Sequence, residues 1–196
     1  MIKRLFLIAN PTHYLNSIEY LYQTKEKGSN HVVIVSDYLN SIEQIKKLHD
    51  SDLWESEQIF NYDGLNQPGY HWKSWHIISS FLQKTFQSIR PDQLVIGNLC
   101  DPIFYNLVLE IEGKAGLIAL DDGIPSINII RNRSINRFYK SYHFPSPRDF
   151  IRSFLAFRKI LVFNKPPHSV IFFTLFRKKA SDRDIVIYNE YLWLKS

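Results

Sequence analysis

The chain has 196 residues, of which 45% are hydrophobic and 22% are charged, and this composition excludes disordered and collagen-like proteins. A chain of this length buries a full core without cross-links, and its one cysteine, Cys100, excludes an internal disulfide and a cysteine-based zinc cluster. The formal net charge is +5, but residues 123–180 alone carry 12 basic side chains and one acidic side chain, so this segment attracts anions. A solvated basic face without a dedicated partner explains that charge equally well.

Short apolar runs and amphipathic stretches alternate along the first half of the chain. The apolar run after Arg4 predicts a strand over residues 4–9 that is buried on both faces. A helix is predicted over 13–27, with Gly28 ending it. The next predicted elements, in chain order, are a strand at 31–35, a short helix at 40–49, a strand at about 58–62 and a helix at 71–88.

The second half continues this alternation and then changes. The predicted elements are a strand at 93–97, a helix at 102–112, a strand at 115–120, a basic helix at about 146–162, and strands at 169–176 and 184–188. We therefore expect an α/β fold, a Rossmann-like parallel sheet with helices on both faces, over residues 1–135. Residues 136–196 are predicted to form a basic helical extension and strands that lead toward a second domain.

Two adjacent carboxylates, Asp121 and Asp122, follow the strand at 115–120 and precede Gly123. Ligands of open α/β sheets bind at the carboxyl ends of the strands, so this pair is placed for chemistry. Repulsion between neighbouring carboxylates raises one pKa toward the range of a general base, and the glycine lets a substrate approach the backbone. Two other interpretations stay open: the pair holds Mg²⁺ together with Asp101, or one of the two caps the next helix.

Polar residues also follow two other predicted strands. Asn10, Thr12 and His13 come after the first strand, and Asn98 and Asp101 come after the strand at 93–97. We predict that these five residues bind substrate, together with the glycine of the acidic motif. For His13 the alternative is a surface position on a helix, and for Asp101 it is the N-cap of the helix that follows.

Several function classes lack their signature in this sequence. There is no Gly-x-x-x-x-Gly-Lys-Ser/Thr phosphate loop, and there is no helix-turn-helix, zinc-finger or RNP-like motif of a nucleic-acid-binding protein. The apolar run at the N-terminus is shorter than the ~7–15 residues of a signal-peptide core, and no stretch approaches the ~20 apolar residues of a membrane span. We therefore expect a cytoplasmic protein that does not bind nucleic acid.

The segments around the candidate residues resemble the bacterial lipooligosaccharide sialyltransferases, glycosyltransferase family 52. That family has an acidic-acidic-glycine motif at such a strand end, matched here by Asp121, Asp122 and Gly123. Residues 5–19 resemble its first strand, proline turn and first helix, and residues 95–102 resemble the strand and loop before the acidic motif.

The resemblance implies the N-terminal, acceptor-side domain of a GT-B glycosyltransferase. Such an enzyme transfers sialic acid from a CMP-activated donor to an oligosaccharide acceptor with inversion of configuration, and it needs neither a metal nor a cofactor. An acid of the motif, Asp121 or Asp122, is then the base that deprotonates the acceptor hydroxyl. The resemblance places this work at the cytoplasmic face of a bacterial inner membrane, where the basic residues 131–179 predict peripheral contact with anionic lipid.

The sequence departs from the family downstream of the acidic motif. The family's His-Pro pair has no counterpart, because neither His143 nor His168 is followed by proline. We expect that the chain is an amino-terminal fragment or has kept only the acceptor half, and an apolar face left without its second domain predicts a homodimer. Two other functions stay open: a glycan- or nucleotide-binding module without activity of its own, and a metal-dependent phosphotransfer or hydrolase domain that uses Asp121, Asp122 and Asp101.

Overall fold

One parallel sheet forms the centre of the fold. The computed structural model describes residues 1–25, 27–36, 39–48, 51–62, 71–99, 102–121, 123, 127–131, 151, 167–176 and 181–195. Their strands are β1 (Ile2–Ile8), β2 (Gly28–Ser36), β3 (Ser56–Asn61), β4 (Gln93–Ile96), β5 (Gly116–Leu120), β6 (Ile171–Thr174) and β7 (Ile185–Tyr188). They lie in the order β3-β2-β1-β4-β5-β6-β7, and every neighbouring pair runs parallel. The predicted α/β, Rossmann-like architecture is confirmed.

Helices cover both faces of this sheet. The main helices of the described residues are α1 (Pro11–Thr24), α2 (Leu39–Leu48), α3 (His71–Ile89) and α4 (Pro102–Ile111). In β1, Phe6 and Ile8 belong to the core under α1 and α2, whereas Leu5 and Leu7 pack with residues of α3 and α4. All four side chains are fully buried, as the unbroken apolar run of this strand predicts.

The end of α1 differs from its prediction. The helix stops at Thr24, and Lys25 takes the left-handed C-cap conformation, with its N–H donating to the Leu21 carbonyl at 3.1 Å. Gly28 instead opens β2, so the prediction that it ends the helix is wrong. A side chain at Gly28 would collide with the Ile2 carbonyl oxygen of the neighbouring strand, so the glycine serves the close approach of β1 and β2.

Strands β6 and β7 continue the sheet that the first half of the chain begins. β5 pairs with β6, and β6 pairs with β7. The strands predicted at 169–176 and 184–188 are therefore confirmed, and the sheet draws strands from both sides of the boundary predicted at residue 135. The helix predicted at 146–162 lies outside the described residues, except for position 151. Within the described part of the chain, no helix combines the length and the apolar character that crossing a membrane requires.

Candidate functional site

The strand order reverses between β1 and β4, and the region outside the carboxyl ends of these two strands is called the crevice below. The chain leaves β1 into α1 on one face of the sheet and leaves β4 toward α4 on the other, so the two connections diverge at this point. Open α/β sheets bind ligands at such a switch point, outside the carboxyl ends of the strands. Asn10, Thr12 and His13 follow β1, and Gly97 and Asn98 follow β4. Four of the predicted binding residues, Asn10, Thr12, His13 and Asn98, thus follow the two strands of the crevice, whereas Gly123 follows β5.

Asn10 and Thr12 form the start of α1. The Asn10 side chain caps the helix, because its Oδ1 accepts the His13 backbone N–H at 2.9 Å. Pro11 occupies the first helical position, where a missing N–H costs nothing. Thr12 is exposed in the first turn. Of these residues, Thr12 therefore presents an accessible hydroxyl at the crevice, whereas the Asn10 amide is engaged in capping.

His13 lies inside the protein, so the alternative that it occupies a surface position on a helix is wrong. Its side chain is only 1% exposed, and its Nδ1 accepts the Ala9 backbone N–H at 3.3 Å. The ring packs against Gly97 so closely that a Cβ at that position would overlap it. The contact between His13 and Gly97 therefore sets the spacing between the ends of β1 and β4.

Asp121 lies directly after β5 and is 5% exposed. Its Oδ1 accepts the Gly123 backbone N–H at 2.8 Å. Its Oδ2 accepts the Thr174 hydroxyl at 3.2 Å and the Leu175 backbone N–H at 3.1 Å. One carboxylate thus closes the turn after β5 and ties that turn to the end of β6, with both oxygens engaged.

Gly123 lies in this turn, with its N–H bonded to Asp121. Gly123 has φ of 73°, a left-handed conformation that glycine adopts without strain. Among the described residues, no atom beyond its chain neighbours lies within 4 Å of a Cβ built there. The contact of Gly123 with a substrate stays a prediction. Asn98 is half-buried at the end of β4. Asp101 and Asp122 lie outside the described residues.

The sequence analysis did not predict a set of buried polar residues that are linked to Asp121 by hydrogen bonds. The Asn16 amide, on α1, donates to the Asp121 carbonyl oxygen at 2.9 Å. The Asn189 amide, just after β7, donates to Asn16 Oδ1 at 3.3 Å. The signal for Asn16 was its spacing, because Asn16, Glu19 and Gln23 recur at helical spacing and so lie on one face of α1.

The phenol of Tyr191, which lies within electrostatic reach of Asp121, has a raised pKa. Burial raises the pKa of this phenol above its usual range, and the negative charges of Asp121 and Glu19, with Tyr188, raise it further. The group is therefore a neutral hydrogen-bond donor at physiological pH.

The next question is whether the described residues contain a set of side chains that could bind a metal ion. No group of three or more His, Cys, Asp or Glu side chains that could hold one occurs among them. The oxygens of Asp121 accept N–H and O–H donors instead. What this edge does present is a set of hydroxyl, amide and phenol groups, which is the chemistry that recognises polar ligands such as sugars.

Comparisons with known proteins yield structural neighbours only. No protein-family model and no curated protein matches the sequence. Among solved structures, the chain is similar to the UDP-GlcNAc 2-epimerase from Neisseria meningitidis bound to UDP-GlcNAc, with 13% identity, a TM-score of 0.48, and coverage of 94% of this chain and 45% of that one. It is also similar to Arabidopsis thaliana UGT89C1 complexed with UDP, with 11% identity, a TM-score of 0.45, and coverage of 88% and 42%. The chain thus spans less than half the length of these two structures.

Proposed function

We propose that this chain is a sialyltransferase-like, inverting glycosyltransferase of the GT-B type, or the N-terminal domain of one, and that it transfers sialic acid from a CMP-activated donor to a surface-glycan acceptor. The observation that carries the proposal is the turn after β5, where the Asp121 carboxylate accepts the Gly123 N–H at the carboxyl edge of a Rossmann-like sheet. Open α/β sheets bind their ligands at this edge. The resemblance of residues 5–19 and 95–102 to sialyltransferases supports it.

The two acids of the motif have different roles in this proposal. Asp121 is a positioning residue, because three donors of the protein already occupy its oxygens. Asp122 is the general base that takes the proton of the acceptor hydroxyl. The acceptor oxygen then bonds to the anomeric carbon of sialic acid, the bond from that carbon to the phosphate oxygen breaks, and CMP leaves with the bonding electrons.

The crevice between β1 and β4 is the proposed acceptor site. Thr12 is exposed and Asn98 is half-buried at its rim, so both are assigned direct contacts with the glycan, together with Asp101. His13 is buried against Gly97 and acts by setting the width of the crevice. We also propose peripheral contact with anionic lipid through the basic residues 131–179, and a homodimer.

A non-catalytic glycan- or nucleotide-binding module is the second candidate function. It is favoured by the engagement of Asp121, because the described part of the acidic motif offers no open carboxylate. Such a module binds the same ligands without turnover. A measurement of turnover therefore distinguishes the glycosyltransferase from the binding module.

The test is a transfer assay with CMP-sialic acid and purified lipooligosaccharide, in which released CMP and sialylated glycan are both measured. The proposal predicts turnover that Asp122→Asn lowers at least about 100-fold, the range expected for loss of a general base. The matched control is Asp52→Asn, since Asp52 is exposed and lies before β3, at the opposite edge of the sheet. Binding without turnover supports the binding module, and neither binding nor turnover contradicts both candidates.

A further inference from the structure

The segment after β7, residues 189–195, packs along α1 and is called the tail below. The carboxylate of Glu19 is fully buried and accepts the backbone N–H groups of Trp193 at 3.0 Å and Leu194 at 2.9 Å. One turn further along α1, Gln23 donates to the Tyr188 carbonyl at 2.7 Å and accepts the Glu190 N–H at 3.1 Å. Three of these hydrogen bonds fix the tail against the helix, and the one to Tyr188 fixes the end of β7.

The near end of the tail is joined to the acidic motif. Asn189 is 1% exposed, and its amide donates to Asn16, which in turn donates to the Asp121 carbonyl oxygen. Asn189 Oδ1 accepts the Tyr191 backbone N–H at 2.9 Å. A continuous line of hydrogen bonds therefore runs from the backbone of Asp121 to the backbone of Tyr191.

Tyr191 is held in a backbone conformation that tyrosine rarely adopts. Its φ is 51°, in the left-handed region, which costs a residue with a side chain free energy unless the surroundings enforce it. The turn made by Asn189 enforces it here. Such strained positions cluster at active sites and ligand clamps.

The phenol of Tyr191 lies within electrostatic reach of Asp121, Glu19 and Tyr188. The side chain is half-buried, and among the described residues its hydroxyl has no hydrogen-bond partner. A neutral hydroxyl within electrostatic reach of a carboxylate whose own oxygens are occupied is a donor available to a ligand. The same ring offers an aromatic face to a sugar.

We propose that Tyr191 contacts the sialic acid of the donor bound at the turn after β5, with its hydroxyl donating a hydrogen bond to that sugar, and that Asn16 and Asn189 position it. This inference rests on the proposed function. It assigns a substrate contact to a residue that lies two strands away from the acidic motif in the sheet and 70 positions away in the sequence.

The first experiment is a calorimetric titration of the chain with CMP-sialic acid, using Tyr191→Phe as the variant and Tyr22→Phe as the matched control. The variant keeps the ring and removes only the hydroxyl, and Tyr22 is 42% exposed in the last turns of α1. Loss of one hydrogen bond predicts about fivefold weaker binding for Tyr191→Phe and unchanged binding for Tyr22→Phe. Equal binding by Tyr191→Phe and the unaltered chain overturns the inference and leaves the proposed function standing.

The variant Asn189→Ala tests whether Asn189 acts by positioning Tyr191. It keeps the phenol but removes the turn that directs it, so it should weaken CMP-sialic acid binding about as much as Tyr191→Phe does. The double variant should bind no more weakly than either single variant, because both changes remove the same contact. Fully additive losses would show that Asn189 does not act through Tyr191.

A second measurement uses the unaltered chain and does not depend on how any variant folds. Nitration of Tyr191 by tetranitromethane, followed by mass spectrometry, should slow at least about fivefold when CMP-sialic acid is saturating, whereas Tyr22 should react at the same rate with and without it. Unprotected Tyr191 in the bound state overturns the inference. Absence of any CMP-sialic acid binding in the titration overturns the proposed function and this inference together.

Discussion

At the scale of single residues, the acidic motif is built from one buried carboxylate that serves three donors. Asp121 ends β5, closes the turn through Gly123 and holds the end of β6 through Thr174 and Leu175. The sequence correctly placed an acid at a strand end, but it did not distinguish the two acids, because the partners of Asp121 on β6 lie more than 50 positions away. Long-range hydrogen bonds of this kind leave no local pattern.

Asp121→Asn should destabilise the fold. An amide cannot accept hydrogen bonds on both sides, so one of the donors on β6 or in the turn loses its partner inside the protein. Loss of a buried partner costs about 1–3 kcal/mol of unfolding free energy, measured by urea denaturation. The exposed Asp52→Asn should change that free energy by less than about 0.5 kcal/mol. A stability of Asp121→Asn equal to that of the unaltered chain would show that these hydrogen bonds do not hold the turn.

His31 predicts a dependence of stability on pH. Its Nε2 lies 2.9 Å from Ser29 Oγ and its Nδ1 lies 2.8 Å from Ser56 Oγ. Burial lowers the pKa of this imidazole below its usual 6.5; Glu55 opposes the shift and Lys3 adds to it. The unfolded chain therefore binds the proton more readily than the folded chain, so stability is complete above pH 6.5 and falls as the pH drops below it.

The measurement is the urea unfolding free energy between pH 7.5 and pH 5, compared between the unaltered chain and His31→Gln. The glutamine does not titrate, so the variant should lose less stability than the unaltered chain over about 2 pH units. Parallel pH profiles for the two proteins would show that His31 does not contribute to the pH dependence of the unfolding free energy.

At the scale of the elements, apolar runs and helical periodicity were sufficient to find β1 to β7 and the four helices α1 to α4, but not the short helical stretches at Ser51–Leu53 and at residues 127–131. The apolar run of β1 and the amphipathic stripe of α1 predicted both elements to within a few residues. The prediction for Gly28 was wrong because a glycine after a helix commonly forms its C-cap. Here Lys25 forms the C-cap, and Gly28 allows the close approach of β1 and β2. Packing between strands thus overrode the local signal.

Gly97→Ala should disturb the crevice between β1 and β4. A methyl group at Gly97 overlaps the His13 ring, so either the ring or the end of β4 must move. Overpacking of this kind costs about 1–3 kcal/mol, measured as a loss of unfolding free energy. Gly116→Ala is the matched control in the neighbouring strand, because its nearest atoms lie at an ordinary 3.7 Å. Equal stabilities of the two variants would contradict the tight contact between Gly97 and His13.

At the scale of the whole molecule, the strand order brings together segments that are far apart in the sequence. β1 lies between β2 and β4, and the last two strands extend the same sheet beyond β5. Alternating strands and helices predicted a parallel sheet but not this order, because the order depends on which strand edges meet in space. The tail is likewise a tertiary feature, because Glu19 accepts hydrogen bonds from Trp193 and Leu194, which lie more than 170 positions away in the sequence.

Glu19→Gln should loosen the tail. The amide that replaces one carboxylate oxygen is a donor, so it cannot accept one of the two N–H groups that Glu19 now binds. Amide hydrogen exchange at Trp193 or Leu194 should accelerate by at least about tenfold, which corresponds to a loss near 1.4 kcal/mol in local stability. Exchange that stays at its original rate would show that the tail is held by other contacts.

The most direct test of the central claim, that the carboxyl edge of this sheet binds a cytidine-activated sugar, is a thermal-shift titration with CMP, CMP-sialic acid and UDP. A ligand that binds the folded state adds about 2.7 kcal/mol of stability at 100 times its dissociation constant, so a formed site raises the unfolding temperature measurably. We expect CMP-sialic acid to raise that temperature in a concentration-dependent manner and UDP to leave it unchanged. An unfolding temperature that none of the three compounds changes, or that UDP raises as much as CMP-sialic acid does, would contradict the claim.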